Sequence, residues 1–234
     1  KKLWYYKKMK ISLNIFTNCT SYAPSTDIIE NTYSSFVDVF GGNYETIIFI
    51  DSHPNMNVCE KYKNNIINKF PKSKVVRTNS LSDGYIKAVK QSDSDYMFML
   101  EHDWIFIKEN IKHSLEDICQ LMLENKLYHF RFNKRSNQIA GWDRTLEEVK
   151  TDNIHYCMTH NMSNNPHIID RKKYNDIILQ HIRLRPSSRG IEEELNSQNK
   201  FFSCIYGGLN YPATINHVDG RKLDKLKFKK GRYR

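Results

Sequence analysis

The chain is short of several things, and each shortage removes a class of chemistry. Its 9 glycines form neither a Gly-x-Gly-x-x-Gly fingerprint nor a P-loop, which sets aside dinucleotide binding and P-loop ATPase roles. The 5 cysteines, Cys19, Cys59, Cys119, Cys157 and Cys204, are scattered, odd in number and without a Cys-x-x-Cys pair. Neither a zinc site nor a disulfide framework is expected from that pattern. Free, mostly buried thiols in a reducing compartment fit it, so a cytoplasmic location is expected. No run approaches the roughly 20 apolar residues that a bilayer-crossing helix needs, and no charged-then-apolar leader opens the sequence. Both point to a soluble protein, peripheral to a membrane at most. Position 1 is Lys rather than Met, which raises the expectation of a piece of something longer.

What is present is 234 residues, enough to bury one sizeable core, with a net charge of +10. An excess of positive charge suits an anionic partner: a nucleotide diphosphate, a nucleic acid or a membrane surface. Much of the excess sits at the two ends, in residues 1–8 and 221–234, which read as solvated basic arms. They could also make weak contact with an anionic membrane surface, where each Lys is worth about 1 kcal/mol. The expected organisation is a basic arm at 1–9, one domain at 10–220 and a basic tail at 221–234.

Hydrophobic patterning alternates between strand and helix. Residues 10–17 alternate apolar and polar and break into a Ser/Thr/Asn/Pro-rich loop, the mark of a strand. Asp27-Ile28-Ile29-Glu30 has the form of a capped helix start, and Gly41-Gly42 ends that helix. Unbroken apolar runs at 46–50 and 96–100 suit strands covered on both faces. Between them fall a helix at 58–70, a strand at 74–78 and a short helix at 85–90. A long helix is expected at 108–125, with Ile111, Leu115, Ile118 and Met122 on one stripe, then a strand at 128–132. Residues 133–153 turn polar and irregular, and strands near 154–158 and 166–169 and helices at 172–181 and from 190 complete the chain. The alternation indicates an α/β fold with a mostly parallel central sheet flanked by helices.

Open parallel sheets bind ligands beyond the carboxyl ends of their strands, so polar residues directly after apolar runs carry the interest. They are Thr17, Asp51, Asn79 and the cluster Glu101-His102-Asp103. Two carboxylates about 4 Å apart repel by about 4 kcal/mol at an effective dielectric of 20, so a cation is the natural partner for Glu101 and Asp103. Mn²⁺ or Mg²⁺ holding a diphosphate would neutralise both. The bland alternative is that these acids solvate a loop and cap the next helix.

With these residues the sequence resembles the GT-A glycosyltransferases, in particular the family 2-like inverting enzymes. The resemblance covers roughly residues 10–110: Thr17 after the first strand, Asp51 after the second, the segment Asp83-Gly84-Tyr85-Ile86-Lys87-Ala88-Val89, and an apolar strand running into Asp103. Glu101 departs from the Asp-x-Asp motif of that family. The resemblance implies a GT-A (Rossmann-like) domain with a nucleotide-sugar half at 10–110 and an acceptor half at 111–220. It implies a metal-dependent transfer from a nucleotide diphosphate-sugar, most simply a UDP-sugar, to a glycan or other hydroxyl acceptor, with inversion. Thr17, Asp51, Asn79, Asp83, Lys87 and Arg221 would hold the nucleotide-sugar, and Asp103, Glu101 and His217 the metal. Glu193 or Glu192, in an acidic stretch opening a helix, would act as general base, although the helix dipole alone also favours acids there. A sugar nucleotidyltransferase of related fold is the first alternative, disfavoured by the lack of a Gly-rich basic loop after the first strand. A non-catalytic nucleic-acid-binding module is the second, motivated by the pI of about 9.2 and the aromatic content; nucleic acid remains the less favoured partner.

Overall fold

A computed structural model describes residues 9–19, 24–51, 55–140, 143, 145–184 and 191–218. The basic arm at 1–8 and the tail at 221–234, including Arg221, lie outside the described residues.

The first strand, β1 (Ile11–Thr17), is buried along its whole length despite its alternating sequence. It pairs in parallel with β2 (Glu45–Asp51) on one side and β4 (Tyr96–Glu101) on the other, which closes both its edges, and the side chains packed on either side of the sheet cover its faces. The polar residues are handled locally: the Asn14 side-chain amide donates to Ser12 Oγ at 3.1 Å. β3 (Lys74–Thr78) pairs with β2, and the run β3-β2-β1-β4 continues into β9 (His167–Asp170), β6 (His129–Arg131), β10 (Ser203–Tyr206), β8 (Tyr156–Thr159) and β7 (Glu147–Val149). Among these nine strands only β9 and β8 run against the rest. The sheet is therefore mostly parallel, and both halves of the sequence share it.

Helices cover both faces. α1 (Asp27–Phe40), α2 (Met56–Lys69) and α4 (Leu115–Glu124) pack Ile29, Phe36, Ile66 and Leu115 against Leu13, Ile15, Ile48 and Phe98. α3 (Leu81–Gln91), α5 (Arg171–Ile177) and α6 (Ile191–Asn196) set Tyr85, Val89, Tyr174 and Leu195 against Phe16, Phe49, Met97 and Met99 on the other. Phe36 has no exposed surface and meets Phe98 edge-on at 5.0 Å, a contact whose truncation to Ala would cost about 3–5 kcal/mol.

Two expectations need correction. The helix foreseen at 108–125 begins late: a 3-10 turn spans Lys108–Asn110, and α4 starts only at Leu115. Ser114 and Asp117 form a reciprocal capping box there, and that local signal defines the helix start more sharply than the apolar stripe. At α1 the N-cap is Thr26, which makes no side-chain bond to the backbone; its hydroxyl bonds to Glu30 instead. Four short strands went unforeseen: β7 and β10 in the large sheet, and β5 (Trp104–Phe106) and β11 (Ile215–His217), which pair antiparallel as a separate ribbon.

Candidate active site

The registers align the carboxyl ends of β2, β1 and β4: Thr17 faces Ile50, and Phe16 faces Glu101. Asp51 and Glu101 thus sit on the same edge, two strand spacings apart, roughly 10 Å by ordinary sheet geometry. Immediately after β4 the chain turns into β5, and the β5–β11 ribbon lays His217 opposite Trp104. That pairing brings His217 Nε2 to 3.1 Å from Asp103 Oδ2, with Val218 N–H donating to the Asp103 carbonyl at 2.8 Å. The His217 imidazole lies 4.4 Å from the Trp104 ring. The other Asp103 oxygen, Oδ1, is buried and has no hydrogen-bond partner among the described residues. His102, between the two acids, is buried, and burial holds its imidazole below the ordinary range against the opposing pull of Asp103.

A cleft of about 790 Å³ opens beside this ribbon. Glu101 and His217 line one part of it, Glu192 and Glu193 from α6 another, and Arg131, Lys134 and Arg135 a third. Glu192 is fixed: its Oε1 accepts from Ser163 Oγ at 2.8 Å and from the Asn164 N–H. Glu193, one residue on, is exposed in the cleft. Trp104 lines the same space but is 5% exposed, so it presents little face for stacking. Trp142, the other tryptophan whose ring could stack on an acceptor sugar, lies outside the described residues.

The nucleotide-side residues are placed differently, and among the described residues none of them lines this cleft. Thr17 is buried, and its hydroxyl shares a 2.6 Å hydrogen bond with the Tyr62 hydroxyl of α2. Asp51 Oδ1 accepts from Thr78 Oγ1 at 2.8 Å, a bond that opposes burial; burial wins, and its carboxyl is raised above the usual range. Asn79 and Asp83 belong to the start of α3. Ser80 caps that helix, and Asp83 Oδ2 accepts from the Asn79 N–H at 2.8 Å and from Lys87 Nζ at 2.8 Å. Burial would push Asp83 up, but the bonds from Lys87 and Asn79 outweigh it and hold the carboxyl below its ordinary value. Lys87 also donates to the Arg77 carbonyl at 3.2 Å, so Asp83 and Lys87 together clip α3 to β3. Gly84 sits where a Cβ would come within 3.1 Å of the Phe16 ring, so its place in the motif has a packing reason.

Sequence reading missed Arg131. It occupies the last position of β6, 3% exposed, paired with Asp143 at 2.7 Å, and its Nε–H has no partner among the described residues. Opposite it in the sheet lies His167, equally buried. A charged residue held between two aromatics, Phe130-Arg131-Phe132, was the available signal.

Among the described residues no three His, Cys, Asp or Glu side chains converge as a self-sufficient metal site. A hard cation that also binds a diphosphate does not need one, because Mg²⁺-type sites are commonly built from one or two carboxylates plus substrate phosphates. The unpartnered, buried Asp103 Oδ1 beside His217 fits such a cation. No helix among the described residues is long and apolar enough to cross a membrane.

No protein-family model matches the sequence. No curated protein matches it either. Solved structures do. The crystal structure of GalNAc-T7 with UDP, GalNAc and Mn²⁺ superposes with a TM-score of 0.59 at 9% identity, over 92% of this chain and 45% of that one. Residues 1–349 of S. aureus TarS give 0.54 at 13% identity, over 92% and 63%. A second crystal structure of S. aureus TarS gives 0.50 at 16% identity, over 90% and 37%. The chain thus spans between 37% and 63% of the length of these three structures. At these identities the likeness speaks to architecture alone, and with the strand order and the β5–β11 ribbon it establishes that this chain has the GT-A fold.

Proposed function

We propose that this chain is a metal-dependent glycosyltransferase that moves a sugar from a nucleotide diphosphate-sugar, a UDP-sugar in the simplest case, to an acceptor hydroxyl with inversion. The observation that carries the reading is the junction of Asp103 and His217 beside Glu101 at the lip of a polar cleft. The solved likeness to a protein crystallised with UDP, GalNAc and Mn²⁺ supports it.

Asp103, with Glu101 and His217, would hold Mn²⁺ or Mg²⁺, which supplies neutralisation of charge on the departing diphosphate. Asp51 stands at the tip of β2 with one carboxylate oxygen tied to Thr78, and the other is the atom we assign to the nucleoside. Thr17, Asn79, Asp83 and Lys87 support that edge from behind, through Tyr62 and through the α3 clip. Glu193 is the better general base: it faces the cleft, whereas Glu192 is pinned by Ser163 and Asn164 and serves to fix the start of α6. A base must reach the hydroxyl proton within about 3 Å in the loaded site, which an exposed side chain at the cleft wall can do. Arg221 remains assigned to the diphosphate on sequence grounds alone.

The test is UDP-sugar turnover, as hydrolysis or transfer, with Mn²⁺, with EDTA, and for Asp103→Ala. Activity that requires Mn²⁺ and is lost in the variant is expected. Equal rates in all three conditions would overturn the metal assignment.

A further inference from the structure

The walls of the cleft differ in charge. The segment following β6 contributes Arg131, Lys134 and Arg135 against the single carboxylate Asp143, while Glu101, Glu192 and Glu193 line the space from β4 and α6. Within the basic wall the residues are graded in depth. Arg131 lies beneath, 3% exposed and paired with Asp143, with an Nε–H that meets no partner among the described residues. Lys134 and Arg135 are exposed above it, and Lys134 Nζ stands 5.7 Å from the centre of the Trp104 ring. No ion pair among the described residues joins either of these two to a carboxylate. Burying a guanidinium is costly and is repaid only when its hydrogen bonds are completed. Here Asp143, the Asn133 side-chain oxygen at 3.5 Å and the charge of Glu192 do part of that work, and one N–H is left over.

The remaining lining is rich in amides and hydroxyls, with Asn133, Ser136, Gln138, Asn161 and Asn196 among them. Such groups suit a polyhydroxyl ligand and offer no full charge. The anion-seeking capacity of the cleft is therefore concentrated in residues 131–135, whereas Glu193 comes from α6.

We propose that the acceptor of this site bears an anionic group, a phosphate, sulfate or carboxylate on a sugar or polyol, which seats against Lys134 and Arg135 above the buried Arg131. The inference rests on the transferase reading: the hydroxyl under attack lies at the Glu193 wall, and the anion at the basic wall holds it there. Two charge-assisted contacts at exposed positions are worth enough to change affinity by about tenfold or more.

The experiment uses ¹⁵N-labelled protein and two-dimensional NMR, titrated with inorganic phosphate, glucose 6-phosphate, glucuronate, glucose and, separately, UDP with Mn²⁺. The anionic probes are expected to shift the Arg131 Nε–H resonance and the amides of 133–138, to weaken as salt rises, and to bind with UDP present. In the Lys134→Ala/Arg135→Ala variant their dissociation constants are expected to rise about tenfold, with UDP affinity unchanged. Both positions are exposed, so the variant should fold, and its amide spectrum verifies that it does. Equal response to glucose and glucose 6-phosphate, no response to any anionic probe, or displacement of phosphate by UDP would overturn the inference. The last result would hand the basic wall to the donor diphosphate. Failure of UDP to bind at all would instead count against the transferase reading.

Discussion

Asp103 and His217 stand 114 residues apart in the chain and 3.1 Å apart in the fold. Neither belongs to the large sheet. The two-stranded ribbon of β5 and β11 exists at the rim of the parallel sheet and sets this contact by pairing Trp104 with His217. A carboxylate so placed, with one oxygen buried and unpartnered, is held in an environment that favours its ligand over its own stability.

That tension gives the first prediction. An unsatisfied buried oxygen costs about 1–3 kcal/mol. Asp103→Ala should therefore raise the unfolding midpoint of the metal-free protein while abolishing Mn²⁺-dependent turnover. Thermal unfolding in EDTA and a turnover assay check the two halves. His217→Ala should weaken Mn²⁺ binding in the presence of UDP by about 10–100-fold, readable by calorimetry.

Glu192 and Glu193 should separate in kinetics. Glu193→Gln removes the proposed base and is expected to lower kcat by about 10²–10⁴-fold with little change in donor KM. Glu192→Gln keeps an acceptor oxygen for Ser163 and Asn164, so a much smaller loss in kcat is expected. Reversed effects in steady-state assays would move the base to Glu192.

The Arg131–Asp143 pair should dominate stability near the cleft. Removing the carboxylate leaves a 3% exposed guanidinium without its counter-charge. Asp143→Ala is expected to cost about 3 kcal/mol in urea unfolding, far more than the loss of an exposed pair such as Lys10–Asp93.

Acid should destabilise the fold through its buried histidines. Burial lowers His167 to about 4, and burial also holds His129 well below the ordinary imidazole range. An unfolded imidazole takes up a proton near pH 6.5, so between there and about 4 the unfolded state binds more protons and stability falls as pH falls. The expected loss from His167 between pH 7 and 4.5 is on the order of 2 kcal/mol, and His167→Asn should flatten the denaturant midpoint over that range. Asp51 and Asp83 should show opposite signs. Asp83, held low, contributes stability at neutral pH that disappears as pH drops through its folded value. Asp51, held high by burial, subtracts stability once ionised, so Asp51→Asn should stabilise at pH 7.

Much of the nucleotide-side architecture was legible because it rests on local signals. The buried runs at β2 and β4, the stop at Gly41 and the polar residues after each strand follow from hydrophobic periodicity and turn chemistry. Residues 104–217 were harder to read. β5 and β11 are three residues each and carry no periodicity, and the start of α4 depended on the Ser114–Asp117 box rather than on its apolar stripe.

The sequence by itself determined which residues end these strands, because burial of an unbroken apolar run demands cover on both faces and leaves the next polar side chain at a sheet edge. It therefore singled out Asp51, Glu101 and Asp103 without coordinates. Only the tertiary structure decided their company. It tied Asp83 and Lys87 to each other and Thr17 to Tyr62, and it gave Asp103 a partner from the far end of the chain. It also brought Arg131 to the cleft from a strand whose neighbours lie elsewhere in the sequence. Such contacts depend on strand order, and strand order is fixed by non-local packing that no window of sequence contains.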